Sequence, residues 1–194
     1  MPWPTCEEGY NLRKLTLFAG QVVNDFKSLP SGPKKVVELT EDSPEILLED
    51  LDLASWKHIT IYFLGVPGGY YTPLPFYGTI PPDYPKIYFN GDYDESNYFT
   101  RILYYSGSAI IDNTYNAPLG IPPGYDATQW ILRILFSGGR IRMWGMGNHL
   151  EPGAYFLMRE FLDYGPTAEN LTSILLFSGD EEKPYKAGTR VEVW

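Results

Sequence analysis

Apolar and polar residues alternate from Lys57 to Leu64. Ile59, Ile61 and Phe63 point one way, and His58, Thr60, Tyr62 and Leu64 the other. A period of two puts successive side chains on opposite faces, so the segment is predicted to be a half-buried strand. The same reading applies to Gln129–Ser137, where Trp130, Leu132, Ile134 and Phe136 share one face and Arg133 lies opposite. Gly138-Gly139 then supplies a two-residue hairpin signal into Arg140–Met146, with Ile141 and Met143 facing in and Arg140 and Arg142 facing out. Further short strands are predicted at Lys35–Leu39, Ile46–Leu51, Lys86–Asn90, Tyr98–Tyr105, Ala109–Asp112, Tyr155–Leu162, Leu171–Phe177 and Arg190–Trp194. Many short strands with turn signals between them predict an antiparallel sandwich rather than βαβ units. The expected core includes Ile59, Ile61, Phe63, Trp130, Leu132, Ile134, Ile174, Leu176 and Val191.

Two stretches depart from this pattern. In residues 1–35, Leu15, Phe18, Val22 and Phe26 recur at helical spacing between Pro2 and Pro4 at one end and Pro30 and Pro33 at the other. Val22-Val23 fits a strand equally well. The segment is expected to be an N-terminal arm, with residues 36–194 forming the sandwich domain. Together with Trp3, its apolar side chains are too many to leave in water; they can lie on the chain's own domain or on a partner, and the prolines at both ends favour reading the arm as a docking segment. Gly65–Pro85 holds six prolines and four glycines and reads as a long loop or rim. Tyr70, Tyr71, Phe76, Tyr77 and Tyr84 decorate it. They can order the loop by packing on the prolines, anchor a protein interface, or stack on sugar rings.

Composition narrows the function. The 194 residues fit one domain, large enough to build a core without staples. The net charge of −9 argues against nucleic acid, whose phosphates require clustered Lys and Arg. No apolar run approaches the roughly 18 residues of a membrane-spanning helix. The first ten residues, MPWPTCEEGY, have neither the basic nor the apolar region of a secretory leader. One cysteine, Cys6, makes no internal disulfide and no Cys-based zinc site, and no cofactor or metal is expected.

Candidate chemistry is sparse. Asn90, Asp92, Asp94 and Glu95 crowd one turn and could offer oxygens to Ca²⁺. The spacing is not that of an EF-hand, and a turn whose side chains bond nearby backbone amides is the expected reading. His149, after Gly145-Met146-Gly147-Asn148, reads as a surface residue in a glycine-rich turn, and His58 beside Trp56 as another surface residue. Carboxylate pairs such as Asp92 with Glu151 carry no specificity for glycoside hydrolysis, and no Ser-His-Asp triad stands out. Arg140 and Arg142 could meet an acidic neighbour or form a solvated face. Asn170-Leu171-Thr172 fits the N-glycosylation sequon.

Four stretches between residues 37 and 194 resemble jelly-roll modules of structural proteins of tailed bacteriophages, among them head-fibre, decoration and tail-associated proteins. They are Asp52-Leu53-Ala54-Ser55-Trp56-Lys57-His58-Ile59-Thr60-Ile61; Tyr88-Phe89-Asn90-Gly91-Asp92 followed by Ser96-Asn97-Tyr98; Gln129-Trp130-Ile131-Leu132-Arg133-Ile134; and the closing hairpin, Ala168–Phe177 with Lys186–Trp194. The resemblance implies an all-β antiparallel jelly-roll sandwich with an N-terminal arm. It further implies a non-enzymatic virion protein, foremost a capsid decoration or cement protein on the capsid surface. The implied partners are the major capsid protein and sister copies in a homo-oligomer, expected to be a trimer. A tail-associated or receptor-binding module that recognises host glycans is the other reading. The Pro-rich loop and residues 1–35 depart from the module.

Overall fold

A computed structural model describes residues 32–66, 84–105, 110–120, 128–151 and 154–194. The chain divides into two units, Met1–Pro33 and Lys34–Trp194. The described strands all belong to the second. In chain order they are β1 (Lys35–Glu38), β2 (Glu45–Leu48), β3 (His58–Gly65), β4 (Lys86–Phe89), β5 (Tyr98–Tyr105), β6 (Ile110–Tyr115), β7 (Thr128–Ser137), β8 (Arg140–Glu151), β9 (Ala154–Tyr164), β10 (Ile174–Phe177) and β11 (Arg190–Val193). A one-turn helix, Leu53–Trp56, precedes β3, and a 3-10 turn, Glu95–Asn97, precedes β5.

The strands form two antiparallel sheets in a sandwich-like arrangement, so the fold is all-β as expected. The large sheet runs β1-β11-β3-β7-β8-β9-β5-β6, and the small one β2-β10-β4. The nine residues expected in the core are each at most 1% exposed. Ile46, Leu48, Ile87 and Phe89 join them from the small sheet, and Ile141, Met143, Leu162 and Val193 from the large one. Burying each such side chain is worth about 1.5–3 kcal/mol, which makes the alternating pattern the main determinant of which face turns inward.

Gly138 and Gly139 both have positive φ, +60° and +73°. That is the backbone of a type I′ turn, which the paired glycines adopt without a Cβ penalty. The hairpin they close runs further than the alternation indicated. β8 continues past Met146 to Glu151, and β9 pairs with it from Tyr164 back to Ala154. The glycine-rich stretch before His149 is therefore strand and not the expected turn. Its glycines face inward: a Cβ on Gly147 would lie 2.3 Å from Cδ2 of Trp130, and one on Gly145 would lie 2.7 Å from Cδ2 of Leu132. Gly147 pairs directly with Trp130 across the ladder. The glycine is there because the indole occupies the space of its missing side chain.

Strand ends shift elsewhere. β6 continues past Asp112 to Tyr115, in register with Thr100 on β5. Leu171, expected to begin a strand, is instead buried in the loop before β10, where its carbonyl accepts a bond from the Leu53 amide (3.4 Å). Residues 1–31 of the expected arm and the tip of the Pro-rich loop, residues 67–83, lie outside the described residues, while Lys35, at the arm's expected end, already pairs with Val193 in β1. At the loop's exit, Tyr84 and Pro85 are buried.

Candidate interaction surface

Trp3, Leu15, Phe18, Val22, Phe26, Tyr70, Tyr71, Phe76 and Tyr77, the side chains expected to bind partners, all lie outside the described residues. The other candidates can be placed. The Asn90–Glu95 turn is held by its own polar groups. Asn90 sits at φ +54°, a left-handed conformation that Asn tolerates better than most residues. Its Oδ1 accepts from the amides of Thr172 (2.8 Å) and Ser173 (3.4 Å), and its Nδ2 donates to the Asn170 carbonyl (2.8 Å). The Asp92 carboxylate accepts from Tyr164 Oη (2.7 Å), Asn97 Nδ2 (2.8 Å) and the Asp94 amide (3.0 Å). Asp94 caps the following turn through the Ser96 amide, and Glu95 pairs with Lys86. Burial alone would raise the Asp92 pKa, but these bonds outweigh it and hold the carboxyl below its ordinary range. The expected backbone-bonding turn is present, with partners more distant in sequence than expected. Among the described residues no group of three or more His, Cys, Asp or Glu side chains is placed to hold a metal ion.

Asn170 is the hub of a second knot. Its Oδ1 accepts from the Ala54 amide (2.7 Å) and the Leu171 amide (2.8 Å), and its Nδ2 donates to Asp52 (3.0 Å). Asp52 also caps the one-turn helix by accepting from the Ser55 amide (3.3 Å). The sequon asparagine is thus a structural side chain with its amide engaged on both sides. His58 is exposed at the start of β3. His149 and Glu151 lie on β8, and their side chains are outside the described set.

What the described residues assemble is a surface. On the outer face of the large sheet, Tyr62, Ile131 and Met146 lie directly across from one another on β3, β7 and β8. Trp144 follows on β8, opposite Arg133 on β7, and Leu64 follows on β3. These five apolar side chains are 38–44% exposed. The Arg133 guanidinium lies over the Trp144 ring, 5.6 Å from its centroid, a cation–π arrangement. Arg140 and Arg142 flank the row and share one carboxylate, Asp163, at 3.8 and 3.6 Å. At the β7–β8 end three arginines therefore gather about one described carboxylate, Asp163, while Glu192 lies across from Tyr62 at the β11 end of the row. Aromatic, Met and Arg side chains are the types enriched where proteins meet.

Comparison with protein-family models, with curated proteins and with solved structures finds no match. The surface thus rests on its own chemistry. Alternation had marked its arginines as outward-facing and had set Tyr62 and Leu64 opposite the core face, but it had not singled out Ile131, Trp144 and Met146. The signal lay in the run Trp130–Phe136, where only Arg133 is polar. With Trp130, Leu132 and Ile134 turned inward, Ile131 must turn outward.

Proposed function

We propose that the protein is a non-enzymatic structural component of a tailed-bacteriophage virion, a capsid decoration or cement protein. In this reading it binds the shell formed by the major capsid protein and associates with itself, as a trimer. The observation that carries a binding rather than a chemical role is the exposed row of Tyr62, Ile131, Met146 and Trp144 beside Arg133 on the outer face of the large sheet. Such a face offers contact area and anchors. The polar side chains of the Asn90 and Asn170 turns are meanwhile committed to holding loops together. The capsid location itself comes from the resemblance of residues 37–194 to phage jelly-roll modules.

Quantitative mass spectrometry of purified particles tests the reading. Copy numbers comparable with the major capsid protein are expected. A few copies per particle, together with binding in a glycan screen, would replace it with the tail-associated, glycan-recognising module. The arm has its own test. Deleting residues 1–33 is expected to leave a soluble domain with unchanged β-type circular dichroism and to abolish particle attachment. Normal attachment of the truncated protein would remove the arm from the docking role.

A further inference from the structure

Two patches, one on the outer face of each sheet, differ in charge. On the large sheet, the row ending in Trp144 and Met146 is flanked by Arg133, Arg140 and Arg142, and Arg133 makes no ion pair among the described residues. On the small sheet, Leu47 of β2 is 48% exposed, with Glu45 on the same strand face and Glu49 just beyond the strand. Neither glutamate side chain makes an ion pair among the described residues. At its β7–β8 end the first face thus presents apolar side chains beside guanidinium groups, with Glu192 across from Tyr62 at the β11 end, and the second face presents one apolar side chain, Leu47, beside two carboxylates. Opposite charges beside exposed apolar side chains favour encounter and fix orientation.

We propose that these faces bind each other between copies: the Arg133–Trp144 face of one molecule docks on the Glu45–Leu47–Glu49 face of the next. Because the two patches sit on different sheets of one domain, the contact is head-to-tail. Such contacts close into a ring when the rotation between neighbours permits and otherwise extend as a filament. The occupant is a second copy because the acidic patch that complements the arginines is on this chain itself. The inference concerns self-association alone and does not depend on the virion reading.

Charge-reversal variants of the full chain test it by sedimentation velocity at about 50 μM, where contacts of micromolar affinity are populated. Wild type is expected to form trimers or larger species. Arg133→Glu with Arg142→Glu, and separately Glu45→Arg with Glu49→Arg, are each expected to weaken association about tenfold or more, leaving monomers. Mixed in equal amounts, the two double variants are expected to regain association into dimers and larger species, because their two reversed faces are complementary to each other just as their two native faces are. In the mixture, the native acidic face of the first variant meets the native basic face of the second. Monomeric wild type, association unaffected by either reversal, or a mixture that stays monomeric would each overturn the proposal. Circular dichroism confirms folding first. Should a reversal variant fail to fold, Trp144→Ala and Leu47→Ala replace the two variants, with the same monomeric outcome expected of each alone.

Discussion

Asn90 joins two demands in one side chain. The backbone there is left-handed, and the amide ties the turn to residues 170–173, some eighty positions away in sequence. Replacing it with alanine removes the cross-loop bonds and adds a conformational penalty. Asn90→Ala is expected to cost about 2–3 kcal/mol, seen as a lower urea midpoint at unchanged slope. Asn90→Gly keeps the backbone freedom and is expected to lose less. Equal losses for the two would show that the left-handed conformation carries no part of the cost. From sequence, a turn was legible at this asparagine because Asn, Gly and Asp favour turns. Its bonding partners were not, because they arrive through the pairing of β4 with β10.

In the β7–β8 hairpin, the tight turn is local and the packing of its strands is not. Gly138-Gly139 encodes the turn directly, and both residues take the positive φ that it needs. Gly145 and Gly147 carry the same residue type for a different reason, since Leu132 and Trp130 fill the space beside them. Gly147→Ala is therefore expected to destabilise the domain by about 1–3 kcal/mol through overpacking. Combining it with Trp130→Leu should recover part of that loss relative to the sum of the single changes, a coupling that a double-mutant cycle in urea measures. Strict additivity would mean that the indole can move aside freely. Trp130 Nε1 is buried without a hydrogen-bond partner among the described residues, so its contribution to this pair is shape.

Across the domain, titration should bound stability on both sides. Asp92, Asp52, Asp42 and Asp112 all have pKa values below their ordinary 3.8 in the folded chain. For Asp52 the leading cause is the bond from Ser55, for Asp42 that from Lys186, and for Asp112 that from Arg101. Depressed folded values mean that the unfolded chain binds protons first. The stabilisation is present above pH 3.8 and is lost as pH falls through the lower folded values. Tyrosines act in the opposite direction. Burial pushes Tyr88 and Tyr164 up to about 12 from 10.0, so their contribution is intact below pH 10 and is lost as pH rises toward 12. Burial raises Tyr98 and Tyr185 as well. Tyrosinate absorbance at alkaline pH should therefore show a late fraction that appears together with loss of the β-type circular dichroism. Complete phenol ionisation near pH 10 with the fold intact would contradict this.

The sequence by itself determined which segments form strands, though not where each ends, which side chains of the alternating segments turn inward and where the tightest hairpin closes. Alternation and turn chemistry act between neighbours in the chain, so Ile59, Trp130, Val191 and Gly138-Gly139 could be read without knowing their surroundings. Only the tertiary structure decided which strands pair, since β11 lies between β1 and β3, and β9 between β8 and β5. It also decided that Gly147 faces an indole, that Asn170 bridges Asp52 and Ala54, and that Tyr62, Ile131 and Met146 line up on one exposed row. Each of these is set by the register between segments far apart in sequence. A local pattern fixes the two faces of a strand, whereas the strands and sheet beside it determine what those faces meet.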